Sequence, residues 1–414
     1  MNYFLLIFLA VIQVSVAAQQ AQHHFHFKGF STTISDDASD ENGNHLLVGD
    51  IRAIEIDAFN RDTTVNRIFG LKGYSSDDRY GILILTDKNY DILKIERSFI
   101  AKKAVYDPEK KLFTICAAFF DYLHVGDQSF SAWQPVIVQT GLELRPNAYF
   151  IQRPYSCIPE DMAMEKDRIL LFTRSSKHQV NGKDSEKAEV IGVDLSKNHK
   201  DTARPWIRSL DILSACETPF DDIGRMSLSE VSNVNGTYYF STSNLDQFSL
   251  KTADHLYKLN SGLLTEITYF REYLKWDVVN DDWININDFT AAADNYRFLT
   301  HAGASKKEMV YSKTDTSFRT LLSKKIPLNY YADYNKMLVL PDGNTVILSV
   351  SKKNTWNYSL YSPAMEPMAE TDSGISKDYY PKRLFAIADK RIECIFNIDN
   401  VHAKDCILQI TDLK

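Results

Sequence analysis

Acidic and amide side chains stand just before several apolar segments of this chain. The clearest case is Glu160 and Asp161 in SCIPEDMAMEKDRILLFT, where two apolar runs flank a charged turn. A carboxylate can bind an ammonium group, and a nearby aromatic ring attracts the same cation. The residues of this kind, with their aromatic companions, are Glu160, Asp161, Asp221, Asp222, Trp283, Asn287, Asp288, Tyr331 and Asp333. Together they would suit a small aromatic amine or a catechol-type ligand.

The elements that must position these residues are recurrent hairpins. An apolar strand, a polar turn and a second apolar strand recur at 104–117, 161–173, 230–243, 288–302, 337–350 and 384–396. Repeats of about 40 to 60 residues with several short strands are typical of β-propellers. A single blade cannot cover both of its apolar faces, whereas a ring of blades can. We therefore predict an all-β fold, a six-bladed β-propeller, with seven blades possible.

Residues 46–59 and 80–96 contain further predicted strands. They either form a seventh blade or complete the last blade by pairing the first strand with the last, and the second arrangement is our expectation. In a propeller the loops before the innermost strands surround one end of a central channel, where binding sites are commonly found. The predicted ligand-binding residues would then share this channel. The alternative is that each acid caps a turn or faces solvent.

The composition narrows the class of function. The chain has 414 residues and a formal net charge of −7, which disfavours nucleic acid as a partner. It contains no G-x-S-x-G, no H-E-x-x-H and no phosphate-binding glycine-rich loop. The sequence therefore predicts binding rather than catalysis, with no cofactor and no metal.

The N-terminal segment predicts export. MNYFLLIFLAVIQVSVAA has an apolar run followed by small residues, so we expect a signal peptide over 1–18 and a secreted protein. No later segment is long and apolar enough to predict a membrane span. Residues 19–45, with three histidines and an acidic stretch, are predicted to be flexible. Residues 46–414 are predicted to form one propeller domain.

Export would permit two covalent modifications. Sequons at Asn235 and Asn357 predict glycosylation. The chain has five cysteines without C-x-x-C spacing, which argues against zinc. Cys394 and Cys406 flank the last predicted strand pair and are candidates for a disulfide.

The order of these features resembles the yellow / major royal jelly protein family. Residues 46–87 are similar to that family's opening strand region, and PYSCIPEDMAMEKDRILLFT is similar to its cysteine-then-hairpin stretch. NTWNYSLYS (354–362) stands at the family's G-C-W-N motif, with Thr355 in place of the cysteine. The resemblance implies an exported six-bladed propeller that binds amines or acts in pigmentation. The departure at Thr355 puts the family's usual disulfides in doubt.

Two alternatives remain open at this stage. The stretch from about residue 229 is similar to paraoxonase and gluconolactonase propellers, which would imply calcium near Glu160, Asn287 and Asp333 and a lactonase or esterase activity. The histidine those enzymes use is missing from FDDIGRMSL. The other alternative is a secreted interaction scaffold without a small ligand.

Overall fold

The computed structural model describes residues 20–70, 79–125, 128–165, 168–180, 183–200, 208–218, 222–223, 225–246, 251–266, 284–302, 308–329, 334–398 and 405–413. The predicted signal peptide lies outside these residues. The fold is all-β, apart from a short 3-10 helix (Ala58–Asn60) and helix α1 (Thr63–Phe69). Asp62 caps α1 by accepting the Val65 N–H at 2.9 Å, and Gly70 ends it in the left-handed conformation.

The described strands build a β-propeller of seven blades. Blade 1 contains β2 (Phe30–Ser39), β3 (His45–Ala53), β4 (Arg79–Thr86) and β5 (Ile92–Ser98). Blade 2 contains β6 (Ile100–Asp107), β7 (Leu112–Val125), β8 (Gln128–Thr140) and β9 (Asn147–Phe150). Blade 3 contains β10 (Ser156–Glu165), β11 (Arg168–Val180), β12 (Lys183–Lys200) and β13 (Arg208–Glu217), with β14 (Asp222–Ile223) paired to β12.

The other four blades follow in chain order. Blade 4 contains β15 (Arg225–Leu228), β16 (Ser232–Val234), β17 (Thr237–Asp246), β18 (Lys251–Asn260) and β19 (Leu263–Glu266). Blade 5 contains β20 (Ile284–Ala291), β21 (Asn295–Ala302), β22 (Glu308–Asp315) and β23 (Thr320–Pro327). Blade 6 contains β24 (Lys336–Val339), β25 (Thr345–Val350), β26 (Thr355–Tyr361) and β27 (Pro367–Ser376). Blade 7 contains β28 (Tyr379–Ala388), β29 (Arg391–Ile398), β30 (Asp405–Asp412) and β1 (Gln20–His26).

The expected number of six blades is wrong. Hydrogen bonding groups the strands into six sheets, but the nine-stranded sheet combines blades 2 and 3 through a short parallel contact between β9 and β13. The packing supports this division, because the described residues form seven hydrophobic clusters, each between two neighbouring blades. The six predicted hairpins are the inner hairpins of blades 2 to 7.

The ring closes by pairing the first strand with the last, but with a different strand from the expected one. Strand β1 pairs antiparallel with β30, from Gln20 opposite Thr411 to His26 opposite Asp405. Residues 46–96 instead contribute three strands of blade 1. Residues 20–45, predicted to be flexible, thus form the closing strand and the inner strand of the first blade.

The acidic composition of β2 explains this error. Asp36 is 3% exposed and the Asp37 side chain is 3% exposed, although an acidic stretch with Ala38 as its only apolar residue predicts a solvated loop. Asp36 accepts the Ala104 N–H of blade 2, and Asp37 contacts Tyr90 Oη, which lies 53 residues along the chain in the same blade. Buried polar groups are tolerated when they are hydrogen-bonded, and these partners come from distant parts of the sequence.

The mouth of the channel is the end at which the inner strands β2, β6, β10, β20, β24 and β28 begin. The β7–β8 and β11–β12 hairpins are longer than those of the other blades and rise beside this end. The connection between β3 and β4, which carries α1, lies at the same end. Within the described residues, no helix is both long and apolar enough to cross a membrane.

Candidate binding site at the channel mouth

A belt of charged residues surrounds the channel at the inner strands. We call it the channel belt, and it consists of Asp36, Lys103, Asp161, Glu230, Asp288, Lys336 and Arg383. Five of these follow a β-bulge at the same place in their strands: Asp36, Lys103, Asp161, Asp288 and Arg383. A bulge turns one extra residue out of the regular alternation, so these side chains leave the blade face and meet the next blade.

Three belt carboxylates bridge adjacent blades in the same way. Asp36 Oδ2 accepts the N–H of Ala104 at 2.8 Å, across blades 1 and 2. Asp161 Oδ2 accepts the N–H of Val231 at 2.9 Å, across blades 3 and 4.

The third bridge joins blades 5 and 6, where Asp288 Oδ2 accepts the N–H of Met337 at 2.7 Å. An aspartate side chain therefore accepts a backbone N–H across each of three junctions, which are those between blades 1 and 2, blades 3 and 4, and blades 5 and 6. This is a structural role for Asp161 and Asp288, which the sequence placed in a ligand site.

The belt cations compensate these acids. Arg383 pairs with Asp36, and its Nε lies 3.4 Å from Glu230 Oε1. Lys103 Nζ lies 3.5 Å from Asp161 Oδ1. Although burial raises the pKa of Glu230, the attraction of Arg383, Lys336 and other lysines is stronger in sum and lowers it to about 2. The belt is thus close to electrically neutral.

A second layer, one residue earlier in three inner strands, faces the mouth. It contains Lys102, Glu160 and Lys382. Glu160 lies 3.4 Å from Lys102 Nζ and 3.4 Å from Arg174 Nη2, so its charge is already balanced by two cations. Lys382 forms no ion pair with a carboxylate in the described part of the chain. Burial, followed by the nearby charges of Lys102 and Lys336, lowers the pKa of Lys382.

A pocket of about 530 Å³ opens beside this layer, between blades 1, 2 and 3. Such a volume is within the range of small-molecule sites. Its lining residues are Arg79, Tyr80, Ile100, Lys102, Ala118, Phe120, Trp133, Ile158 and Arg174. Its walls are therefore aromatic and aliphatic, and its charged lining residues are all cations.

The aromatic wall is built from two hairpins. Phe120 on β7 packs against Trp133 on β8 with ring centroids 5.2 Å apart, and Phe120 is 53% exposed. On the other side, the Arg97 guanidinium lies over the Tyr80 ring, 4.7 Å from its centroid. Exposed aromatic side chains that line a cavity offer a ligand stacking surfaces whose desolvation cost is small.

Asp50 on β3 shows how close together the mouth cations lie. Burial raises the pKa of Asp50, and Arg79, Lys102 and Lys382 oppose this shift by attraction. These three cations come from blades 1, 2 and 7. They therefore converge on one part of the mouth although they are far apart in the sequence.

The structure describes the side chains of three of the nine predicted ligand-binding residues and places these three in two different layers. Glu160 lies at the mouth, whereas Asp161 and Asp288 belong to the channel belt. For Asp222 and Asn287 the structure describes only the backbone, in β14 and β20. The remaining four lie outside the described residues: Asp221, Trp283, Tyr331 and Asp333.

The sequence analysis missed the cations of the mouth. Lys102–Lys103 and Lys382–Arg383 stand before inner-strand apolar runs, as Glu160–Asp161 does. Pairs of basic residues thus stand at the same positions in their strands as the acidic pair, but the sequence analysis considered only acidic and amide residues there. Phe120 and Trp133 gave no signal, because the hairpin pairing that brings them together is not visible in composition.

The predicted disulfide is wrong. Cys394 and Cys406 do not form a disulfide. Cys394 lies opposite Gln409 in the β29–β30 ladder, so Cys406, three residues earlier, points to the other face of the blade. Cys394 packs between blades 6 and 7, whereas Cys406 packs between blades 7 and 1. The sequon residue Asn235 is exposed in a turn, while Asn357 is half-buried in β26.

A second polar cluster lies where the ring closes. We call it the closure cluster, and it consists of Asp37, His45, Tyr90 and Glu393. Tyr90 Oη lies 2.7 Å from Glu393 Oε2 and 3.1 Å from Asp37 Oδ2, and His45 Nδ1 lies 2.8 Å from the same Asp37 oxygen. A phenol has one proton, so it donates to only one of these carboxyl groups.

The second tyrosine contact is a hydrogen bond only if its carboxyl group is protonated. The other oxygens, Asp37 Oδ1 and Glu393 Oε1, are buried without a hydrogen-bond partner among the described residues. Burial raises the pKa of Asp37 to about 7 and also raises the pKa of Glu393. Both carboxyl groups are therefore protonated at higher pH in the folded protein than in the unfolded chain.

Comparison with known proteins finds similarity of fold only. No protein-family model and no curated protein sequence matches this chain. The β-propeller domain of the Trilobed protease from Pyrococcus furiosus is similar at 9% identity and a TM-score of 0.44, over 93% of this chain and 94% of that chain.

Two other solved structures are similar to a comparable degree. Sqt1 from Chaetomium thermophilum has 8% identity and a TM-score of 0.46, covering 96% of this chain and 100% of that chain. The WD40 domain of SCAP from fission yeast has 8% identity and a TM-score of 0.36, covering 94% and 98%. These values carry no argument about activity or partners. The strand topology of the chain itself makes it a β-propeller.

Proposed function

We propose that this protein binds a small planar aromatic molecule in the pocket at the channel mouth and does not transform it. The observation that carries this proposal is the pocket of about 530 Å³ between blades 1 to 3, with Tyr80, Phe120 and Trp133 in its lining. Loops and hairpin ends held by a rigid ring are suited to such a site.

The proposal keeps the aromatic ligand of the sequence-based hypothesis and changes where it binds. An ammonium group was expected to meet Glu160 and Asp161. Glu160 faces Lys102 and Arg174, and Asp161 is 3% exposed and bonded to Lys103 and Val231. Neither carboxylate is available to bind an ammonium group. We therefore propose that the pocket recognises the ring of the ligand, which would be catechol-like or indole-like.

Kinship with the yellow / major royal jelly family and export from the cell belong to the same proposal. Secretion of the full chain from insect cells, followed by N-terminal sequencing of the secreted form, tests the export. A mature chain that begins at Gln19 supports it, and retention of the chain in the cell contradicts it. The calcium-dependent esterase gains no support from Glu160, because two cations already neutralise this carboxylate.

Titration calorimetry with catechol and indole tests the aromatic site. Trp133→Ala should weaken binding by tenfold or more, because one stacking contact is worth about 1 to 3 kcal/mol. Leu263→Ala is the matched control, since Leu263 is 70% exposed on blade 4. Absence of heat for every aromatic probe, or equal affinity of wild type and Trp133→Ala, would contradict the proposal.

A further inference from the structure

The charge around the pocket indicates the chemical class of its ligand. Four cations face the mouth from four blades: Arg79, Lys102, Arg174 and Lys382. The carboxylates near them are Asp50, Glu160, Glu186 and Glu230, and Glu186 Oε2 lies 3.6 Å from Arg174 Nη1. The charged residues that line the pocket itself, Arg79, Lys102 and Arg174, are all cations, so the pocket presents positive charge to a ligand.

This positive charge is concentrated at the pocket and is not spread over the surface. Glu160 uses its two oxygens on Lys102 and Arg174. Lys382 is repelled by Lys102 and by Lys336 more strongly than it is attracted by Glu160 or by Glu230, and it forms no ion pair within the described residues. A cation held near other cations is stabilised by an anion that binds between them.

We infer that the ligand of the channel mouth is an aromatic carboxylate, whose ring stacks on Phe120 and Trp133 while its carboxylate lies near Lys102, Arg79 and Lys382. This inference rests on the proposed aromatic site and adds the sign of the ligand's charge. Arginine side chains match a carboxylate with two parallel N–H donors, whereas lysine supplies a point charge.

Three probes with the same ring separate the two ideas. Indole-3-acetate is an anion, indole-3-acetamide is its neutral isostere and tryptamine is a cation. Calorimetry at low ionic strength should give the tightest binding for the acetate, with the amide at least tenfold weaker and the amine weaker again. If all three bind equally, or if tryptamine binds best, the anion inference is overturned while the aromatic site stands. If none binds, both fall.

Two substitutions sharpen the test. Lys382→Met should weaken indole-3-acetate by about tenfold, equivalent to about 1.4 kcal/mol, and leave indole-3-acetamide unchanged. Lys390→Met is the matched control, because Lys390 is exposed in the β28–β29 turn of the same blade.

Glu160→Gln gives a prediction of opposite sign for the two charge classes. Removing this carboxylate frees Lys102 and Arg174, so binding of indole-3-acetate should strengthen several-fold. An amine site would instead lose affinity for tryptamine. A weaker acetate complex in Glu160→Gln would overturn the inference, and circular dichroism of the variant checks that it is folded.

Discussion

The channel belt and the closure cluster solve the same problem in different ways. Both place carboxyl groups in the interior of the ring, and Asp36 and Asp37 are neighbours in the sequence. Asp36 pairs with Arg383 and accepts the Ala104 N–H, so a cation compensates its carboxylate. Asp37 contacts Tyr90 and His45 and lies near Glu393, none of which is a fixed cation, and burial raises its pKa. The available partner, not the residue type, decides whether the charge of a buried acid is compensated.

Removing a belt cation should have the largest effect. Arg383→Met leaves Asp36, which is 3% exposed, without its cation, and breaking a buried pair costs about 3 to 5 kcal/mol. Urea unfolding should show this loss. Asp36→Asn in the same chain should restore part of the stability.

Arg391→Met is the control for this substitution. Arg391 is 52% exposed and lies 3.7 Å from Asp412, so its loss should cost no more than about 1 kcal/mol. If both arginine variants lose the same free energy of unfolding, the buried Arg383–Asp36 pair contributes no more to stability than the surface pair does.

The bridging aspartates of the belt should have an intermediate effect. Asp288→Ala leaves the Met337 N–H without its acceptor, at a cost of about 1 to 3 kcal/mol. Asp288→Asn keeps one acceptor oxygen and should retain most of the stability. If the asparagine variant unfolds as readily as the alanine variant, the charge rather than the bridge is what the fold needs.

The closure cluster should reveal itself through pH. Its carboxyl groups have raised pKa values in the folded state, so the folded protein holds more protons than the unfolded chain between about pH 4 and pH 7. The free energy of unfolding should therefore fall as pH rises through this window, by up to about 1.4 kcal/mol per pH unit. Thermal unfolding followed from pH 5 to pH 8 measures this slope.

Glu393→Gln tests the origin of that slope. The amide cannot release a proton, so the variant should lose less stability between pH 5 and pH 8 than the wild type. Glu308→Gln is its control, because the Glu308 side chain is 38% exposed and pairs with Lys325 at the surface. A slope that is unchanged in Glu393→Gln would show that other groups cause the pH dependence.

The sequence by itself determined the all-β propeller fold and six inner hairpins. Apolar runs such as TVILSV on β25 and ILLF on β11 indicate strands buried on both faces, and turns such as Asp342-Gly343 fix where the chain reverses. These signals are local, because each one lies within a few residues of the strand it predicts.

Only the tertiary structure decided the number of blades and the character of the mouth. The acidic composition of β2 predicts a loop, but Ala104 and Arg383 supply partners for this strand from other blades, and Tyr90 supplies one from the same blade. Glu160 likewise predicts an amine site until Lys102 and Arg174 are placed beside it. The free energy of a buried charge depends on neighbours that are distant in sequence, and ring closure is what brings those neighbours together.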